Sequence, residues 1–167
     1  NAGTISGGNS RVGILAADNN IISNSGVISL GTSGAGILAF SNSSVSNSGT
    51  IAVGNSGVGI FSGIGGNRIT NSGSITGGVF SAGIAGIDND SVVNRGSISL
   101  GNDSKGIQIF NSSSATNYGT ITVGSFGGDP TFGMGIAGCG CGADNSVLLN
   151  YGRITVGDDA VGMIVEG

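Results

Sequence analysis

The sequence predicts an all-β fold, a single-stranded, right-handed, three-sided parallel β-helix of about seven rungs. Three observations carry this. Asn-x-Gly-x-Ile recurs seven times in 167 residues, with successive Asn residues 23, 23, 24, 23, 23 and 33 positions apart. A fixed period in this range marks a solenoid. Around each Ile, apolar residues alternate with Ser or Thr, the pattern of a strand with one buried face. Gly supplies 36 residues and no 3.6-residue stripe is present, which excludes helix.

With the Asn taken as position zero, the elements follow in order. The Asn column is Asn1, Asn24, Asn47, Asn71, Asn94, Asn117 and Asn150, and Gly stands two residues later in every copy. Ile stands at plus four: Ile5, Ile28, Ile51, Ile75, Ile98, Ile121 and Ile154, the expected core column. A Gly at plus seven, from Gly8 to Gly157, ends this first strand, and a positive φ is the expected reason for it.

A second strand centres on a Gly at plus twelve followed by an apolar residue, from Gly13-Ile14 to Gly106-Ile107, then Gly135-Ile136 and Gly162-Met163. A corner of Asp, Asn and Ser follows, such as Asp18-Asn19 and Asp88-Asn89. These residues tolerate left-handed backbone and bond their own main chain. A third strand places Ile22, Val45, Ile69, Val92, Ala115 and Leu148 two residues before the next Asn. The six-residue repeat of left-handed β-helices is absent, which favours the right-handed form.

One rung cannot bury enough to offset its own ordering, so neighbouring rungs must pair their backbones. Seven Asn amides stacked at rung spacing can each donate to the next, forming a ladder. The alternative is an Asn facing solvent in a left-handed corner. Residues 1–167 read as one solenoid domain with a loop insertion around 125–145 in the sixth rung. Aligned on Gly135, it adds six residues before that Gly and four after it. Loops leaving a solenoid corner carry what is specific to a segment.

Composition limits the function classes. Net charge is −4 with no basic stripe, which argues against nucleic acid, and no apolar run suits membrane insertion. The 38% hydrophobic content at fixed phase argues against disorder. The chain begins on Asn in phase with its repeat, and reads as a piece or processed subunit of a longer repetitive protein.

With no His, Ser-His-Asp and Cys-His sites cannot be built. The acids lie mostly in corners and the five bases are scattered, so no enzyme and no cofactor are expected. Asp88-Asn89-Asp90 and Asp158-Asp159 could hold calcium, but the Gly-Gly-x-Gly-x-Asp nonapeptide is missing, and solvated turn acids are the expected reading.

Cys139-Gly140-Cys141 could bind a soft metal, close a strained disulfide or cross-link to a neighbouring chain; two unreactive thiols are the alternative. Thr4, Thr50, Ser74, Ser97 and Thr120 at plus three, and Ser6, Ser29, Thr76, Ser99, Thr122 and Thr155 at plus five, form two hydroxyl columns. These are similar to an ice-binding face, but Val27, Ala52 and Arg153 interrupt them, and a solvated sheet surface is preferred. Tyr118 and Tyr151 fall at plus one in consecutive copies beside the insertion. They are the candidates for local binding in the rival reading, a carbohydrate-binding or carbohydrate-cleaving solenoid with host or surface glycans as partner.

The Asn-x-Gly-x-Ile strands, the Ser/Thr/Asn/Gly richness and the low charge resemble bacterial autotransporter passengers and filamentous-adhesin-type parallel β-helix repeat proteins. The resemblance covers nearly all of 1–167 outside the insertion. It implies export, an extracellular or cell-surface location, and a role in adhesion or fibre building. Neither end shows a cap, so the expected partners are flanking repeats of a longer chain or a second copy stacked end to end.

Overall fold

The computed structural model describes residues 1–136 and 145–165, and all of its regular structure is β-strand. Three parallel sheets run the length of the chain. The first contains Thr4–Gly7, Val27–Leu30, Thr50–Val53, Ser74–Gly77, Ser97–Leu100, Thr120–Val123 and Arg153–Val156. The second contains Val12–Ala16, Ala35–Ala39, Val58–Ser62, Ala82–Gly86, Lys105–Ile109, Phe132–Ile136 and Val161–Val165. The third contains Ile21–Asn24, Ser44–Asn47, Arg68–Asn71, Ser91–Asn94, Ser114–Asn117 and Val147–Asn150. Every strand pairs with the equivalent strand of the next coil. With seven, seven and six strands, the described chain makes about six full turns.

Register follows the sequence columns. Ile5 pairs with Ile28, Ile28 with Ile51, and the column continues unbroken to Ile121 and Ile154. Ile28, Ile51, Ile75 and Ile121 are wholly buried, as are Ile37, Ile60, Ile84 and Ile107 from the second sheet. With Val45, Ile69, Val92 and Ala115 from the third, they form one core. β-Branched side chains stacked on themselves at strand spacing fill such a core with little rotamer loss. Where plus six is Gly, the next coil fills the gap: a Cβ on Gly77 would meet Leu100 Cδ2 at 2.8 Å.

Two expectations need correction. The Gly at plus seven does not take a positive φ; among described glycines only Gly66 and Gly128 do. The left-handed residues stand two positions later, at Ser10, Ser33, Ser56, Phe80, Asp103 and Asp159, and in the Asn/Ser corner at Asn19, Asn42, Asn89, Asn111 and Ser112. Gly is needed at plus seven because coils approach closely there: a Cβ on Gly54 would lie 2.7 Å from Thr32 N and 2.8 Å from the Gly31 carbonyl carbon.

The second correction is the register of the sixth coil. Ile107 pairs with Met134, and Met134 with Met163, so Gly133-Met134 rather than Gly135-Ile136 continues the plus-twelve column. A Cβ on Gly133 would sit 2.7 Å from Gly162 O, the same close approach that Gly83 makes to Gly106 O at 2.5 Å. Asn117 to Gly133 spans 16 positions where Asn94 to Gly106 spans 12, so four residues are added before the strand. Gly133 to Asn150 spans 17 where Gly106 to Asn117 spans 11, so six are added after it.

Candidate functional site

The Asn column is a continuous ladder. Nδ2 of Asn1, Asn24, Asn47, Asn71, Asn94 and Asn117 each donates to Oδ1 of the next Asn at 2.7–2.8 Å. The other hydrogen of each Asn24 to Asn117 amide reaches the carbonyl of its own plus-two Gly at 3.3–3.4 Å. The main-chain carbonyls of Asn1 to Asn117 in this column also each accept two N–H groups of the next coil, as Asn71 O does from Arg95 N at 2.7 Å and Gly96 N at 3.0 Å. Asn24, Asn47, Asn71, Asn94 and Asn117 have no exposed surface. A buried amide with every hydrogen satisfied stabilises the corner, whereas an unpaired one would cost its desolvation. The plus-two Gly is fixed by the same geometry, because a Cβ on Gly73 would overlap the Gly49 carbonyl oxygen.

A second polar ladder, unread in the sequence, runs along the opposite corner. The side-chain oxygen of Ser43 accepts from Asn20 N at 3.1 Å, that of Asn67 from Ser43 N at 2.8 Å, and that of Asp90 from Asn67 N at 2.8 Å. Ser113 Oγ then accepts from Asp90 N, and Ser146 Oγ from Ser113 N, both at 3.1 Å. Ser, Asn and Asp share one property here, a short side chain ending in an acceptor. Asp90 also accepts from Ile87 N at 3.0 Å, and Asp88 accepts from Asn111 Nδ2 at 2.6 Å, so both acids serve the corner. Among the described residues no group of three or more His, Cys, Asp or Glu could hold a metal ion. Cys139 and Cys141 lie outside the described residues.

Tyr118 and Tyr151 stack on each other, with ring centroids 5.3 Å apart and planes inclined by 13°. The Arg95 guanidinium lies over the Tyr118 ring, 4.6 Å from its centroid. The three occupy plus one in consecutive coils, so the rung spacing itself sets the stacking distance. Tyr118 therefore has a neighbour in ring contact on the Arg95 side and another on the Tyr151 side. The hydroxyl columns of the first sheet stand in register, Ser74 with Ser97 and Thr76 with Ser99, with Val27 paired to Thr4 and Ala52 to Ser29.

The insertion is where the scaffold departs from its rule. Phe126 N still bonds Asp158 O at 2.9 Å, as Asp103 N bonds Ser125 O, so Phe126 is in phase with the repeat. Thr131 O accepts from Val161 N as Ser81 O accepts from Lys105 N, so Thr131 is in phase too. The four added residues are thus Gly127-Gly128-Asp129-Pro130. Two residues of the preceding coil hold them. Asp103 Oδ1 accepts from Gly127 N at 2.5 Å and Asp129 N at 3.2 Å, and Lys105 Nζ pairs with Asp129 Oδ2 at 2.8 Å.

Lys105 is the one charged residue in a column otherwise made of Val12, Ala35, Val58, Ala82, Phe132 and Val161. Beyond the loop, Phe126, Pro130, Thr131, Phe132, Asp159, Val161 and Ile164 line an open cavity of about 430 Å³ on the outer face of the second sheet. Scans against protein-family models, curated proteins and solved structures find no match to this chain. The class that the fold itself defines is a three-sheet parallel β-solenoid repeat protein.

Proposed function

We propose that the chain is a structural and adhesive element of an extracellular bacterial surface fibre, either a segment of a longer solenoid or a subunit that stacks end to end. The observation that supports this reading is the unbroken in-register stacking of the coils, in which each Asn amide from Asn1 to Asn117 donates to the Asn of the next coil. A further Asn-x-Gly-x-Ile coil, from flanking repeats or a second copy, would extend the same ladder and the same strand pairing. The surface location and the adhesive role rest on the likeness of the repeats to autotransporter passengers and filamentous adhesins.

Electron microscopy and sedimentation of the purified chain at rising concentration test the assembling version. Filaments one solenoid wide, lengthening with concentration, support it. A chain that stays monomeric at high concentration excludes the stacking subunit and leaves the segment of a longer rod.

A further inference from the structure

The geometry points to the cavity beside the inserted loop as a binding site for a small organic cation with an apolar body, an arylalkyl ammonium in class. Its walls are apolar: Phe126, Pro130, Phe132, Val161 and Ile164. Its volume, about 430 Å³, falls in the range of small-molecule sites. Phe132 is buried under the loop while Phe126 stays half-exposed, so one ring forms the floor and the other a side open to a ligand.

The charge at the cavity is of one sign. Asp159 lines it and makes no ion pair among the described residues. Lys105, in register with Phe132 on the neighbouring strand, is already paired with Asp129 at 2.8 Å. A cation over two phenyl rings and beside a free carboxylate gains from the ring quadrupole and from the opposite charge, while its apolar body replaces water on the aliphatic wall.

The construction is local and deliberate in the physical sense. Asp103 and Lys105, from the fifth coil, hold the loop that carries Pro130 over the sixth and seventh. None of the regular coils has an equivalent of Gly127-Gly128-Asp129-Pro130, so the wall that Pro130 supplies exists only where the loop does. The site does not rest on the proposed function, because no residue of the Asn ladder lines it.

The test uses the full chain and two probes of one shape, benzylammonium and benzyl alcohol, followed by amide chemical-shift titration at neutral pH. Benzylammonium is expected to shift the amides of Phe126, Thr131, Phe132 and Val161 saturably, and to bind about fivefold tighter than the alcohol. Asp159→Asn should reduce that preference without changing alcohol binding; Asn tolerates the left-handed backbone at this position, where φ is 56°. Phe126→Ala should weaken both probes. Equal binding of the two probes, a preference left undiminished by Asp159→Asn, or no shifts at these amides would each overturn the assignment.

Discussion

Lys105 of the fifth coil and Asp129 of the inserted loop are joined Nζ to Oδ2 at 2.8 Å, across 24 positions of sequence. The pair ties the one large irregularity of the described solenoid to the coil before it. Asp103 does the same through two main-chain N–H groups and is itself nearly buried. The partly exposed ion pair contributes little, about 0–1 kcal/mol. The Asp103 contacts contribute more, because a buried carboxylate takes its hydrogen bonds from two loop N–H groups.

Asp103→Ala is therefore expected to free the loop and cost about 1–3 kcal/mol through the lost bonds, to which the left-handed backbone at φ 55° adds a strain of its own, while Lys105→Ala costs under about 1 kcal/mol. Amide hydrogen exchange checks this: Gly127 and Asp129 should lose protection in Asp103→Ala, with Ile107 and Ile121 unchanged. Chemical denaturation gives the magnitudes.

Glycine at plus two is predicted to be intolerant in the interior and tolerant at the first coil. A Cβ on Gly73 would overlap the Gly49 carbonyl oxygen, but one on Gly3 meets nothing within 4 Å. Gly73→Ala should destabilise by about 3 kcal/mol or more, since the coils must separate to admit it. Gly3→Ala should be neutral within about 0.5 kcal/mol. Thermal melts of the two variants side by side make the comparison.

Phe80 adopts φ 57° and is more than half exposed. A bulky side chain in left-handed backbone carries a steric cost that Asn largely avoids. Phe80→Asn is expected to stabilise the chain by about 0.5–1 kcal/mol, read as a raised denaturation midpoint. A lowered midpoint would mean that the ring has a packing role its exposure conceals.

Much of this architecture was legible because identical residues recur at identical phase. Asn, Gly and Ile each fill a column without exception in all seven copies, so the columns define the coil. The second polar ladder leaves no mark in the sequence because Ser43, Asn67, Asp90 and Ser113 share an acceptor and not an identity. The register of the sixth coil is ambiguous in sequence for a different reason. Gly133-Met134 and Gly135-Ile136 are two Gly-apolar steps two residues apart, and a slip of two keeps every side chain on its face. Only pairing with Lys105–Ile109 separates them.

The plus-seven Gly shows a third limit. Glycine recurs both for positive φ and for close approach, and sequence does not tell these apart; here the left-handed turn falls on the Ser or Asp two residues later. At the candidate site, the residues of the insertion stood out, but the latch did not. Asp103 and Lys105 sit in the regular fifth coil, and only the folded register brings them to the loop.

The amide ladder also predicts a graded mutational response. Asn71→Ala strands a donor on Asn47 and an acceptor on Asn94 inside a fully buried corner, and should cost about 2–3 kcal/mol. Asn1→Ala, at the exposed end with one ladder neighbour, should cost under about 1 kcal/mol. Equal costs would mean that the ladder bonds do not contribute as the geometry requires.

Hydrogen exchange of the Asn carboxamides tests the central claim most directly, since it reads the ladder and the coil register together. The side-chain amides of Asn24, Asn47, Asn71, Asn94 and Asn117 should exchange as slowly as neighbouring strand backbone, while those of the exposed Asn9 and Asn55 exchange at once. Rapid exchange of all seven carboxamides would contradict the ladder and the in-register coil built on it.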